Sequence, residues 1–277
     1  MMTKIAFLSD IHIAPAYTYE VFRRKMTKYA LPFICSFLDR IASQGDFSFV
    51  VQLGDLIQDA DRDTDRIHYQ KGAALLSRCV VPVHHLVGNH DTANLSPDEI
   101  ASILNREGLY YSFDHGAHHF IFLHTCVPDP AISPRIIIPE EQMAWLEKDL
   151  DQTDKPTTVF CHHSLADQEL TGNPWFARTP EECLVENRKE VRQLLKHSGR
   201  VIAVVNGHLH WNHTDWHDGI PFLTVQSAIE VVDDKRTPAD AWGVITINRN
   251  RFSLNQYGKD PFAFSYAFDD GTTVAAF

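Results

Sequence analysis

The stretch Val80-Val81-Pro82-Val83-His84-His85-Leu86-Val87-Gly88-Asn89-His90-Asp91 decides how this chain reads. The run from Val80 to Val87 is mostly apolar and β-branched, so it reads as a buried strand, and Gly88-Asn89-His90-Asp91 stands at its C-terminal end. Packing does not ask for four such different side chains in a row. A site does. The Asn89 amide oxygen can bind a metal, the His90 imidazole can move a proton, and the Asp91 carboxylate can hold that imidazole in one tautomer. Asp91 is assigned the orienting role, with capping of the following turn as the plainer alternative.

Working outward, four more short apolar runs end in polar residues. Lys4 to Leu8 gives way to Ser9-Asp10-Ile11-His12, and Phe47 to Leu53 to Gly54-Asp55. Thr157 to Cys161 gives way to His162-His163, and Val201 to Val205 to Asn206-Gly207-His208-Leu209-His210. Side chains two apart on an extended segment point the same way, so Asp10 with His12, and His208 with His210, each offer two ligands to one place. The crevice beyond the C-terminal ends of strands is where open α/β folds put their chemistry.

Taken singly, Asp10 or His162 is better explained as a capped or hydrogen-bonded polar residue than as a ligand; the convergence is what argues for metal. Asp10, His12, Asp55, Asn89, His162, His208 and His210 are nitrogen and oxygen ligands without cysteine, more than one ion needs. They suit two borderline divalent ions of the manganese, iron, zinc, nickel or cobalt class. Asp55, alone at its strand end, is the natural bridge between cations held ~3.5–4 Å apart. A water shared by two such ions becomes an in-line nucleophile near neutral pH, and His90 is free to protonate the leaving oxygen.

Between the strands the pattern turns helical from Tyr19 to Ser43, with Pro32 kinking that helix or opening a second one. The acidic tract Asp59 to Asp65 is expected to be a solvated loop, with a helix from Ile67 to Ser77. Ser96-Pro97-Asp98-Glu99 is a capping box ahead of a helix running to about Arg106. Tyr110 to Asp114 and His118 to His124 read as a hairpin around Gly116, and Thr125 to Pro139 as an irregular loop. Helices are expected over Pro139 to Leu150 and Asn187 to Lys196, with a long loop from Leu165 to Cys183. His213 to Trp216, Pro221 to Val225, Trp242 to Ile247 and Arg251 to Tyr257 read as antiparallel strands. The expected fold is α/β: two mixed sheets flanked by helices. Residues 1–277 are expected to form a single domain in which the C-terminal strands 211–277 complete the second sheet.

Other notable side chains have ordinary readings beside functional ones. His163, His124 and His213 lie near predicted ligands and are read as structural neighbours, and His84, His85, His118 and His119 as strand residues with satisfied rings. Trp175, Phe176 and Trp211 could stack on a nucleobase or simply pack. Arg135 and Arg178 could clamp a second phosphate or be solvated.

Composition narrows the function classes. Lys and Arg number 25 against 36 Asp and Glu, a formal charge of −11, which disfavours a nucleic-acid polymer as partner. The five cysteines are scattered, with no Cys-x-x-Cys pair, as expected in a reducing compartment. With neither a signal-peptide pattern nor an apolar run near the ~20 residues of a membrane span, the expected location is cytoplasmic.

In order, Asp-x-His, Gly-Asp, Gly-Asn-His-Asp, His and Gly-His-x-His resemble the calcineurin-like metallophosphoesterase superfamily, over Asp10 to His210. The resemblance implies a four-layer α/β/β/α sandwich with a dinuclear centre. One metal would take Asp10, His12, Asp55 and His210, the other Asp55, Asn89, His162 and His208, and His90 would be the proton donor. Within the superfamily, VVQLGDLI, VPVHHLVGNHD, YYSFDHGAHHFIFL and VENRKEVRQLL are similar to the manganese-dependent ADP-ribose/CDP-alcohol diphosphatases. That subgroup carries glutamine where this chain has His12, which fits the wider pattern shared with class III cyclic-nucleotide and glycerophosphodiester phosphodiesterases.

The expected activity is therefore hydrolysis of a phosphodiester or diphosphate bond in a small, nucleotide-like substrate by in-line attack of a metal-bridging hydroxide. The alternatives are a phosphomonoesterase or protein phosphatase with the same metal cage, and a non-catalytic metal-binding module.

Overall fold

A computed structural model of the protein describes residues 2–15, 24–128, 136–233 and 237–268. Its first half alternates strand and helix: β1 (Thr3–Leu8), α1 (Ala30–Gln44), β2 (Phe49–Leu53), α2 (Arg62–Leu76), β3 (Val83–Leu86) and α3 (Pro97–Ile103). The hairpin of β4 (Tyr111–His115) and β5 (His118–Phe122) follows, then the short pair β6 (Val127–Pro128) and β7 (Ile136–Ile137). Next come α4 (Glu140–Asp151), β8 (Thr157–Cys161), α5 (Arg188–Ser198) and β9 (Val201–Asn206). The chain ends in β10 (His213–His217), β11 (Ile220–Thr224), β12 (Trp242–Asn248), β13 (Arg251–Tyr257) and β14 (Phe262–Ala267).

One sheet has the order β14-β13-β12-β1-β2-β3 and the other β10-β11-β9-β8-β5-β4. At the heart of each, β1, β2 and β3, and β5, β8 and β9, run parallel. β1, β2, β8 and β9 are covered on both faces, which is why they read as nearly unbroken apolar runs, whereas β3, at the sheet edge, is half-buried at Val83 and His84. Phe33, Ile34, Phe37 and Ile41 of α1 pack on Ala6, Leu8 and Val50 of the first sheet. Between the sheets, Phe7, Phe49 and Val51 meet Phe120, Phe122 and Phe160. On the far side, Leu146 and Leu150 of α4, with Val191 and Leu195 of α5, cover Ile121, Val159 and Val204. The layers run α/β/β/α as expected, and both sets of parallel strands deliver their C-terminal ends to one edge.

The C-terminal strands do not all complete the second sheet. β10 and β11 do, but β12 pairs antiparallel with β1, Ile5 opposite Ile245, and carries β13 and β14 with it into the first sheet. Gly243 stands opposite Phe7, and a Cβ there would strike the Phe7 ring, so this register needs a glycine. β14 is an addition to the expected strands, and the alternation of Phe262, Phe264 and Tyr266 is the signal for it.

The acidic tract also differs from expectation, because α2 begins inside it. Asp61 accepts from the Thr64 N–H at 3.1 Å as N-cap, and Asp63 and Asp65 sit in the first turn, where the helix dipole favours acids. The capping box forms as read: Ser96 accepts from Glu99 N at 3.2 Å, and Glu99 accepts from Ser96 N at 3.1 Å. Of the predicted Tyr19 to Ser43 helix, residues 19–23 lie outside the described ones, and Pro32 occupies the first turn of α1.

Candidate metal centre

Five of the predicted ligands share an unusual backbone. Asp10, His12, Asp55, His208 and His210 have φ of 53°, 50°, 51°, 67° and 53°, a left-handed conformation costing a non-glycine residue on the order of 1–3 kcal/mol. The turns that hold them are tied to one another. Asp10 N and His12 N donate to Gly54 O and Asp55 O at 3.2 and 3.0 Å, His208 N donates to Asp10 Oδ2 at 3.1 Å, and His90 N donates to Asp55 Oδ1 at 3.0 Å. Glycines make the close approach possible: a Cβ on Gly88 would strike the Asp55 carboxylate, one on Gly54 the His162 ring, and one on Gly207 Ser9 and Asp10.

Two buried clusters result. Asp10, His12, Asp55 and His210 each place a donor atom within 4.8 Å of the others, and so do His162, His163 and His208. Between them, His162 Nε2 lies 3.4 Å from Asp55 Oδ2 and 3.3 Å from Asn89 Oδ1. His12 and His210 turn their Nε2 atoms toward each other at 3.1 Å, and His210 Nε2 is 3.3 Å from Asp10 Oδ1. His12 Nδ1 and His208 Nε2 are buried without a hydrogen-bond partner among the described residues. Imidazole nitrogens converging on carboxylates, with orphaned lone pairs beside them, are a donor set that borderline divalent cations satisfy. All seven predicted ligands come together here, and His163, read as structural, joins them; its Nδ1 meets Thr125 Oγ1 at 3.0 Å.

The electrostatics agree. Burial alone would push the Asp55 carboxyl up, but the imidazoles of His162, His90 and His12 hold it well below the ordinary range. Burial would pull His162 down, yet Asp55 carries it up to about 9. His12 and His208 are pulled well down, chiefly by burial. The site is built to hold positive charge against Asp55.

His90 faces the same cavity, its Nε2 4.0 Å from Asp55 Oδ2. Asp91 does not orient it: the two Asp91 oxygens accept from Gly88 N at 2.8 Å and Ile57 N at 3.1 Å, so this buried carboxylate caps the turn that carries Asn89. A side chain one position on from His90 leaves the turn in another direction, and the ring is instead held by Asp59, whose carboxylate meets His90 Nδ1. Gln58 supports that pair by donating to Asp59 Oδ1 at 2.8 Å, and Lys25 Nζ donates to His90 Nε2 at 3.0 Å.

Sequence reading passed over Lys25, Gln58, Asp59 and Glu230. The last is buried and bridges His210 Nδ1, at 2.9 Å, to Arg24 Nε, at 2.6 Å. A lone acid inside Ser227-Ala228-Ile229-Glu230-Val231-Val232 was the available signal.

Above the clusters lies a cavity of about 400 Å³, lined by Lys25, Asp55, Asn89, His90, His208 and His210, among others. The loop from Leu165 to Cys183 roofs it: Phe176 stacks on His208 at 4.7 Å, and Trp175 meets the His210 ring edge-on at 5.9 Å. Trp211 stacks on His213 instead. His118 and His119 are satisfied by Thr3 and by Asp114 and Asp149, whereas His85 Nδ1 is buried without a partner among the described residues. Arg178 is exposed, and Arg135 lies outside the described residues.

Comparison with known proteins agrees with this geometry. The model of the calcineurin-like phosphoesterase family matches residues 3–212, which include every residue of the two clusters. Similar solved structures include a dimetal phosphatase from Danio rerio, 18% identical, with 96% of this chain and 99% of that one aligned at a TM-score of 0.74. GAP50, the anchor in the inner membrane complex of Plasmodium, is 11% identical over 98% and 90% of the two chains, with a TM-score of 0.63. A putative 5'-nucleotidase from Staphylococcus aureus is 15% identical over 99% of this chain and 56% of that one, with a TM-score of 0.57. No curated protein matches the sequence. At such identities the neighbours speak for the fold, and the family match carries the assignment: this chain belongs to the calcineurin-like phosphoesterases, a family of metal-dependent phosphoester hydrolases.

Proposed function

We propose that the two clusters are the halves of one dinuclear centre, and that the protein hydrolyses a phosphodiester or diphosphate bond in a small, nucleotide-like substrate. Asp10, His12, Asp55 and His210 would hold one divalent ion and Asp55, Asn89, His162 and His208 the other, with Asp55 common to both sets. Ions of the manganese, iron or zinc class would supply Lewis-acid stabilisation of the phosphoryl oxygens and a water acidic enough to attack in line.

The single observation that supports this most is Asp55. Its carboxylate belongs to the four-residue cluster within 4.8 Å and lies 3.4 Å from His162 of the other cluster. The remaining chemistry belongs to the chain's own residues. His90 is anchored through Nδ1 by Asp59 and presents Nε2 to the cavity; protonated there, and released from the Lys25 hydrogen bond, it would give the leaving oxygen its proton. Trp175 and Phe176 narrow the cavity to the size of a small molecule and offer aromatic faces to a base. A formal charge of −11 argues against a nucleic-acid polymer as substrate.

The test is hydrolysis of bis(p-nitrophenyl) phosphate by the manganese-loaded protein, followed by a panel of cyclic AMP, ADP-ribose, CDP-choline, a glycerophosphodiester and p-nitrophenyl phosphate. His90→Ala should cut turnover by ~10²–10⁴, the loss of a general acid. Turnover of the monoester alone would shift the reading to a phosphomonoesterase. Stoichiometric metal binding without turnover of any substrate would leave a binding module.

A further inference from the structure

Lys25 is fixed in place before its side chain begins. An isolated antiparallel bridge pairs it with Glu230, Met26 N donates to Ile229 O at 3.0 Å, and Val231 N donates to Arg24 O at 2.8 Å. The stretch that braces His210 through Glu230 thus also aims Lys25 into the cavity. Its Nζ donates to His90 Nε2 at 3.0 Å and to Gln58 Oε1 at 3.1 Å, and lies 5.2 Å from the centre of the Trp175 ring. An ammonium has three donors, and two are taken by neutral acceptors. Among the described residues no carboxylate lies within ion-pair distance of Nζ, whereas Lys4, Arg24, Arg40, Arg188 and Arg192 each have one. A partly buried cation whose hydrogen-bond partners are neutral, with the carboxylates of Asp55, Asp10, Glu230 and Asp59 acting on it only from beyond ion-pair distance, faces a cavity beside the candidate metal centre and is a place for an anion.

Building on the phosphoesterase reading above, we propose that Lys25 binds a substrate phosphoryl oxygen that the metal centre leaves free, whether on the group under attack or on a second phosphate, and so favours dianionic phosphates, monoesters and linear diphosphates, over monoanionic diesters. The metal centre answers the phosphoryl group under attack. Lys25 adds a unit of positive charge one hydrogen bond past His90, where a second phosphate, or the second charge of a monoester, finds a donor. A cyclic or bis-aryl diester has no charge left to offer it.

The experiment compares the manganese-loaded wild type with Lys25→Met and Lys25→Arg on ADP-ribose, p-nitrophenyl phosphate and bis(p-nitrophenyl) phosphate. A charge-assisted hydrogen bond corresponds to roughly a ten- to hundredfold effect, so Lys25→Met should lose that much kcat/KM on the two dianions and less than about threefold on the diester. Lys25→Arg should recover part of the loss. A second arm needs no turnover: inorganic phosphate is titrated calorimetrically into the metal-loaded proteins, and Lys25→Met should bind it roughly ten- to hundredfold more weakly. Equal losses on all three substrates would make Lys25 a positioning residue for His90 and overturn the proposal. So would tighter manganese binding by Lys25→Met with unchanged phosphate affinity, since the ammonium would then be standing in for a cation. If no substrate is turned over by the wild type, the phosphoesterase reading falls, and the phosphate titration still decides the role of Lys25.

Discussion

Glu230 Oε2 lies 2.9 Å from Nδ1 of His210, and both side chains are buried. A carboxylate on Nδ1 fixes the imidazole tautomer, so that Nε2 turns toward His12 and Asp10, and it raises the basicity of that nitrogen. Glu230→Gln should weaken divalent-ion affinity about 10–100-fold while leaving the fold intact. Isothermal titration with manganese, paired with a melting curve, measures both. Affinity within twofold of wild type would remove Glu230 from the site.

Asp59, not Asp91, meets the His90 ring, and Asp91 instead caps the turn that carries Asn89. Asp91 satisfies the N–H groups of Gly88 and Ile57, and Asp91→Ala strands both in the interior. Each unsatisfied group costs about 1–3 kcal/mol, so the melting temperature should fall by roughly 5–10 °C. Asp59→Asn removes the charge beside His90 Nδ1 at a half-exposed position; it should barely move the melting temperature and should displace the limb of the pH–rate profile that reports the general acid. A profile displaced by Asp91→Asn and untouched by Asp59→Asn would restore the orienting role to Asp91.

The convergence of the seven candidate residues was legible because most of the parallel strands here are buried on both faces. Asp55 and Asn89 stand just past the ends of such runs, Phe49 to Leu53 and Val83 to Leu86, although Gln52, His84 and His85 show that a polar residue can also lie within the strand. Lys25, Asp59 and Glu230 carry no comparable mark. Arg24 and Glu230 are 206 positions apart and meet only because of how the sheets are ordered. A basic pair such as Arg24-Lys25 is indistinguishable in sequence from a solvated helix face. The destination of β12 was equally hidden, because an antiparallel strand can join the free edge of either sheet, and the close fit of Gly243 against Phe7 is visible only once the strands are paired.

Two glycines separate backbone geometry from composition. Gly88 has no room for a Cβ, which would meet the Asp55 carboxylate and its backbone nitrogen, whereas nothing lies within 4 Å of the Cβ position at Gly108. Gly88→Ala should therefore displace Asp55 and abolish metal-dependent turnover. Gly108→Ala should leave turnover unchanged and stabilise the protein slightly, by about 0.4–1 kcal/mol. Wild-type activity in Gly88→Ala would mean that Asp55 does not need its observed position.

His84 makes stability depend on pH. Its ring stacks on Phe113 at 4.2 Å and meets Phe49 edge-on at 5.2 Å, with Arg106 Nη2 3.4 Å from Nδ1. Burial first, and the Arg106 charge second, pull its pKa from the ordinary 6.5 down to about 4. Between those values the unfolded chain binds a proton that the folded one refuses. Stability is therefore undiminished above pH 6.5 and falls as the pH drops toward 4, by up to about 1.4 kcal/mol per pH unit for this one group. His85, pulled down to about 3, adds to the same trend. His84→Phe keeps the aromatic contacts and removes one titrating group, so the loss in melting temperature between pH 7 and pH 5 should shrink by roughly 3–6 °C, with the remainder left to His85 and other groups. An identical loss in variant and wild type would show that His84 takes up its proton without disturbing the interior.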